Sequence, residues 1–263
     1  MTGRLLCVPT PIAEGRTAGE CLPAPELERL GRIDYVIAEQ ARTARAFLKQ
    51  LPLAHPLQQI EVIELNEHTP PSAIEEMVEP IKAGRDAMLV SEAGAPGVAD
   101  PGALLVRAAH EAGLVVEPII GPSALLLALM GSGLEGQRFA FCGYLPVAPA
   151  ERRARIQALE QRSRNEHETV LFIETPYRNA AMVASLLEAL SPTTHLCIAS
   201  GLTGESSLLR TRSIAQWRLS PPDLGRQPTV YLLLAQPGGG ARGAAALRPQ
   251  GKTPPTAGGS RRR

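Results

Sequence analysis

Four short motifs carry most of the residues that could do chemistry, and each follows an apolar run. AEQAR (Ala38–Arg42) follows YVI and brings Glu39 and Arg42. NEH (Asn66–His68) brings Glu67 and His68, and SEAGAPGVADPG (Ser91–Gly102) brings Glu92 and Asp100. ETPYR (Glu174–Arg178) follows TVLFI and brings Glu174 and Arg178. A carboxylate held at such a position can take a proton from a hydroxyl within hydrogen-bond reach. An arginine beside it can hold a phosphate. Each residue also has a plainer use. Glu39 can pair with Arg42 or cap the next helix, Asp100 can cap a helix from Ala103, and His68 reads as a loop histidine. Glu174 and Arg178 can form a surface pair worth about 0–1 kcal/mol.

The stretch Met88–Gly102 organises the rest. Met88–Val90 suits a buried strand, Ser91–Gly102 is a loop rich in glycine and proline, and Ala103 onward has helical spacing. Gly94 and Gly97 have no Cβ, so a ligand can approach the backbone closely. A well-made turn between core elements has the same composition. Gly121-Pro122-Ser123 makes a second such junction. Ser123 is a good N-cap for ALLLALMGSG, and the free N–H groups there can face an anion.

Positioning these motifs takes an alternation of strand and helix. Strands are expected at Arg4–Val8, Tyr35–Ala38, Ile60–Leu65 and Leu114–Ile120. Helices fall between them, at Pro25–Leu30, from Gln40, and from a cap at Ser72 to near Gly84. That order predicts a parallel α/β sheet whose strand ends converge on one edge, where ligands of such sheets bind. After Gly121 the pattern changes. Strands are expected at Phe139–Pro146, Thr169–Arg178 and Pro228–Ala235, with His195–Ser200 paired to Ser206–Arg212. Helices are expected at Ala150–Arg164 and Asn179–Leu190, the first carrying Arg152, Arg153, Arg155, Arg162 and Arg164 as phosphate contacts beside Arg42 and Arg45. The expected organisation is an N-terminal domain over 1–120, a C-terminal domain with a mixed sheet over 121–236, and a disordered basic tail over 237–263.

Composition narrows the function classes. With 263 residues, 44% hydrophobic and only 3% aromatic, the chain can build two aliphatic cores. The four cysteines show neither C-x-x-C nor zinc-site spacing and read as small buried hydrophobes in a reducing compartment. The first apolar run is too short for a signal peptide, and no run has the length of a membrane span. The expectation is a cytoplasmic protein without a membrane partner. The formal net charge is +1, and residues 237–263 hold six basic and no acidic side chains, which leaves −5 on residues 1–236. A body of that sign grips nucleic acid through a local patch or through its tail.

With VPTPIAEG (Val8–Gly15), AEQAR, VSEAGAPGVADPG, GPSALLLAL (Gly121–Leu129), FCGYLP (Phe141–Pro146) and ETPYR in that order, the chain resembles the tetrapyrrole methylase superfamily. Within it, the likeness is to the branch of the small-subunit ribosomal RNA methyltransferases I, over about Leu5 to Ala235. The resemblance implies two α/β domains of the tetrapyrrole methylase type, a cleft between them for the cofactor S-adenosyl-L-methionine, and a homodimer. It implies 2′-O-methylation of a ribose in small-subunit ribosomal RNA. Cofactor contacts would come from Pro11, Glu92, Ala93, Gly94, Ala95, Ser123, Ala124, Tyr144, Leu145 and Ala235, and the chemistry from Glu39, Arg42 and Glu174, with no metal. The chain departs from the branch where AEDTR, SDAGTP, TPIGN and ESPHR have become AEQAR, SEAGAP, TPIAE and ETPYR. Those changes leave two other functions open: methylation of a tetrapyrrole-like or other small molecule, and a cofactor-binding paralogue with little activity.

Overall fold

The computed structural model describes residues 2–237. The expected tail, past Pro237, lies outside the described residues. The N-terminal half is a five-stranded, all-parallel sheet of β1 (Arg4–Val8), β2 (Tyr35–Ala38), β3 (Glu61–Glu64), β4 (Ala87–Val90) and β5 (Val115–Pro118). Its order is β3-β2-β4-β1-β5. Between the strands run α1 (Ala18–Cys21), α2 (Ala24–Leu30), α3 (Ala41–Leu48), α4 (Pro71–Lys82) and α5 (Ala103–Glu111). Every residue of β2 and β4 is buried, because helices cover both faces, and this is why these strands read as unbroken apolar runs. Alternation still decides the face. Leu6, Val8, Val36 and Met88 pack with Leu30, Phe47 and Leu48 on one side. Leu5, Ile37 and Leu89 pack with Ile74, Met77, Ile81 and Leu105 on the other.

The strand order places the site. The connection from β1 leads across β4 to β2, while the connection from β4 leads across β1 to β5. Adjacent strands whose connections depart in opposite directions open a crevice beyond their carboxyl ends. The loops after β1 and β4 are PTPIAEG (Pro9–Gly15) and SEAGAPGVADPG (Ser91–Gly102).

The C-terminal half holds α6 (Ala124–Ser132), β6 (Phe139–Tyr144), α7 (Pro149–Glu166), β7 (Thr169–Glu174), α8 (Asn179–Ala189), β8 (His195–Ser200), β9 (Leu208–Ser213), α9 (Ile214–Leu219) and β10 (Thr229–Leu234). The sheet order is β6-β7-β10-β8-β9. β6 runs parallel to β7, and β10 runs antiparallel to both β7 and β8. The carboxyl ends of β6, β7 and β8 and the amino end of β10 therefore share one edge. One sheet face packs on α7, α8 and α9 through Ile156, Met182, Leu186 and Trp217. The other packs on α6 through Ala128.

Several local expectations are corrected. α4 opens at Pro71 after Pro70, so Ser72 lies inside the helix and caps nothing; proline suits a first turn because its missing N–H has no partner there. Asp100 does not cap α5, whose N-cap is Gly102 at φ +129°. α1 and α9 were not expected, although each starts with a capping box, Thr17 with Glu20 and Ser213 with Gln216. Both are too short to show a helical period. The arginines of α7 are mostly occupied: Arg152 is buried on Ser185 and the Val147 carbonyl. Arg153 pairs with Glu188, Arg162 with Glu168 and Arg164 with Glu160.

Candidate active-site cleft

Backbone pairing brings the loop after β1 and the loop after β4 together. The Thr10 N–H donates to the Gly94 carbonyl at 2.9 Å and the Gly94 N–H donates back to the Thr10 carbonyl at 3.1 Å. The Ser91 hydroxyl donates to the same Gly94 carbonyl at 2.8 Å, and the Thr10 hydroxyl donates to the Ser91 carbonyl at 3.2 Å. Gly94 sits at φ +81°, a conformation that side chains rarely adopt. Gly121 closes the third side by contact: a Cβ on it would lie 2.6 Å from Pro9 Cβ, so only glycine lets this turn meet the VPTP loop.

A cavity of about 760 Å³ opens between the two sheets. From the N-terminal half it is lined by Ile12 to Arg16, Glu20 and Ala93. The C-terminal half contributes Ala124, Tyr144, Ile173 and Glu174, the loop after β8 with Gly201, Leu202 and Gly204 to Ser206, and Arg226 to Val230. Arg16 crosses the cavity and its Nε donates to the Thr203 carbonyl at 2.7 Å, tying the loop after β1 to the loop after β8. Ala13 faces Gly204 in the same crossing: a Cβ at Gly204 would lie 3.5 Å from that of Ala13.

Carboxylates cluster among the loops after β2, β3 and β4. Burial and the charges of Glu39 and Glu92 push Asp100 up to about 6. Burial, with Glu92 and Glu67 nearby, also raises Glu39. Tyr144 is raised by burial and by Asp100, Glu174 and Glu39, so its phenol faces carboxylates from both halves. The Glu174 side chain is fully buried. One oxygen accepts the Thr175 N–H at 2.7 Å, and the other lies 2.9 Å from the Arg178 guanidinium without a hydrogen bond of its own. Arg178 also donates to the Leu145 and Pro146 carbonyls at 3.0 and 3.1 Å. The surface pair expected between Glu174 and Arg178 is therefore a buried one.

Of the residues expected in the site, Ala93, Ala124, Tyr144 and Glu174 line the cavity. Pro11 and Ser123 directly precede lining residues, and Ser123 is the N-cap of α6 with no side-chain cap bond. Glu92, Gly94 and Ala95 belong to the loop that supplies Ala93. Glu39 is half-buried and Arg42 exposed, at the end of β2 and the start of α3. Two expectations are corrected. Leu145 points into the C-terminal core, 3% exposed. Ala235 lies at the far end of the sheet, where its N–H donates to Ser163, because β10 runs antiparallel and brings Thr229, not Ala235, beside Glu174. Missed altogether were Gly201 to Ser206 and Arg226 to Thr229. Their available signal was a glycine-rich segment, GLTG, directly after an apolar strand.

The family model for the Tetrapyrrole (Corrin/Porphyrin) Methylases matches residues 22–216. The chain belongs to this family. Among tetrapyrrole methylase relatives it is 36% identical over 184 residues to the ribosomal RNA small subunit methyltransferase I of Xylella fastidiosa, covering 70% of this chain and 63% of that protein. It is 35% identical over 201 residues to the protein of the same name from Synechocystis, covering 76% and 67%. It is 30% identical over 252 residues to that of Pseudomonas aeruginosa, covering 94% and 85%. The chain thus spans just under two thirds of the Xylella relative. The crystal structure of the methyltransferase CobJ matches with a TM-score of 0.58 at 16% identity, over 89% of this chain and 95% of that one. Native uroporphyrin III C-methyltransferase from Thermus thermophilus gives 0.52 at 15% identity, over 88% and 97%. Those two likenesses are of fold: two α/β domains.

Proposed function

We propose that the chain is an S-adenosylmethionine-dependent methyltransferase that 2′-O-methylates a ribose in small-subunit ribosomal RNA. The observation that carries the reading is the cleft. It is lined by both halves, its loops are locked at Thr10–Gly94, and its volume lies within the range of about 300–1,000 Å³ usual for small-molecule sites. The identities to relatives named for small-subunit ribosomal RNA support the acceptor. The domain division falls at 120/121, between the two sheets. Among the described residues no helix is long and apolar enough to cross a membrane, and we place the protein in the cytoplasm. Leu126 and Met130, one turn apart on α6, are exposed apolar side chains, which supports a homodimer.

The residues present fit the cofactor: a mixed polar and apolar cavity, with bare backbone at Gly201 and Gly204 and the Arg178-paired Glu174 carboxylate at its wall. Pro11, the Glu92–Ala95 loop, Ser123, Ala124 and Tyr144 would hold it. When bound it supplies an already activated methyl group. What remains for the chain is position, exclusion of water and a place for the acceptor's proton. Glu39 and Asp100, whose charges act on the cavity-lining Tyr144, stand on the N-terminal side of the cleft. Asp100, with a pKa of about 6, is charged at neutral pH yet more basic than an ordinary carboxylate, which suits proton acceptance from a hydroxyl. Glu174, fixed by Arg178, keeps a negative charge beside Tyr144 at the cavity wall, and Arg42 supplies a cation for the phosphate beside the acceptor ribose. The test is transfer of labelled methyl from S-adenosylmethionine to undermethylated small subunits. Label in a ribose-methylated nucleoside supports the reading. Absence of label, with label appearing in a tetrapyrrole instead, overturns the acceptor.

A further inference from the structure

The chain has only four tyrosines, four phenylalanines and one tryptophan. Most of these rings are spent on the cores: Tyr35, Tyr231, Phe172 and Trp217 are at most 2% exposed. Tyr177 is the opposite, 79% exposed, in the turn Pro176–Arg178 directly after β7. Nothing in folding requires a large aromatic ring in water there. Tyr144, which lines the cavity, and Val147 are 54% and 72% exposed.

Tyr177 is also held. Arg178 is anchored on Glu174 and on the Leu145 and Pro146 carbonyls, which fixes the turn. The guanidinium of Arg226, a cavity-lining residue, stands 5.6 Å from the centre of the Tyr177 ring. Its loop is tied to the same segment, because the Asn179 side chain donates to the Gln227 carbonyl at 2.7 Å and accepts from the Tyr231 hydroxyl at 3.2 Å. One face of the ring thus meets a cation at the cleft wall, and the ring keeps most of its surface in water.

We propose that Tyr177 and Arg226 form a stacking platform for a nucleobase of single-stranded RNA beside the reactive nucleotide. Proteins that bind single strands stack bases on exposed rings and add cation–π support from arginine. Here the ring supplies the stacking surface, and Arg226 polarises it while offering a cation to the adjoining phosphate. Because Arg226 lines the cavity, the platform adjoins it, and a strand stacked there would present its next nucleotides to the cleft. The inference rests on the RNA reading above and adds the residue pair that grips the strand.

The test is fluorescence anisotropy of a labelled single-stranded RNA oligonucleotide, with 2-aminopurine at successive positions to report stacking. S-adenosylmethionine titration of every variant serves as the check of fold. Tyr177→Ala is expected to weaken RNA binding about tenfold, as loss of one stacked base does, and to abolish the 2-aminopurine quench. Tyr177→Trp is expected to restore both, and Tyr177→Leu, apolar but not aromatic, neither. Equal RNA affinity in Tyr177→Ala and the unaltered protein overturns the platform, and so does full rescue by leucine. If the unaltered protein binds the oligonucleotide with an aromatic-dependent quench but transfers no methyl to small subunits, the methyltransferase reading falls and the platform stands. If it methylates small subunits and Tyr177→Ala binds RNA normally, the platform falls and the reading stands.

Discussion

Replacing Arg178 by methionine tests whether the pair with Glu174 is a structural hinge of the cleft wall. The Glu174 side chain is fully buried, and its second oxygen has the Arg178 guanidinium at 2.9 Å as its neighbouring charge. Methionine keeps the apolar stem and removes the cation, leaving a buried carboxylate uncompensated. Breaking a buried pair in this way costs about 3–5 kcal/mol. Arg178 itself is 24% exposed, so water can partly replace it and the expected loss is near the low end, about 3 kcal/mol. The Leu145 and Pro146 carbonyls lose their donor in the same step. Glu174→Gln combined with Arg178→Met removes both charges and should recover about 1–2 kcal/mol of that loss, a coupling within the range for residues in contact. The assay is urea unfolding of the four proteins of the cycle, compared at equal slope. A loss below about 1 kcal/mol in Arg178→Met, or a double variant no more stable than the single, refutes the buried-pair account.

Three further outcomes follow from the same geometry. Gly121→Ala pushes a methyl into Pro9 at 2.6 Å; overpacking of this kind costs about 1–3 kcal/mol, and S-adenosylmethionine affinity should fall with it, read by calorimetry. Asp100→Asn should raise the melting temperature at about pH 8 and leave it unchanged at about pH 3.5, because the folded protein, with a pKa of about 6 against the usual 3.8, loses stability as pH rises through that window; an equal gain at both pH values contradicts the burial and crowding argument. Arg16→Ala removes the bond that crosses the cavity to the Thr203 carbonyl, and a lost hydrogen bond worth about 0.5–1.5 kcal/mol should weaken S-adenosylmethionine binding about two- to tenfold.

Much of the N-terminal half was legible because β2 and β4 are buried on both faces and so write themselves as apolar runs ending in polar motifs. The edge where AEQAR, SEAGAP and PTPIAEG meet followed from strand direction alone. The C-terminal half was harder for a specific reason. In a mixed sheet, the end of a strand that faces the site depends on its direction, and sequence does not state direction. The resemblance places Ala235 at the cleft, whereas β10 begins there, at Thr229, and carries Ala235 to the far end. Leu145, just past the end of β6, turns its side chain into the C-terminal core instead. The arginines of α7 showed the limit of counting charges, since their partners Glu188, Glu168 and Glu160 lie on α8, before β7 and one turn back along α7. The plainer use of Glu174, a surface pair with Arg178, fails because nothing local to ETPYR reveals that β7 carries Glu174 into the interior.

The most direct measurement is calorimetric titration of the purified chain with S-adenosylmethionine and S-adenosylhomocysteine. The account predicts saturable binding of both at one site per chain, weakened by Gly121→Ala and by Arg16→Ala. A folded sample that binds neither would contradict the assignment of the cleft.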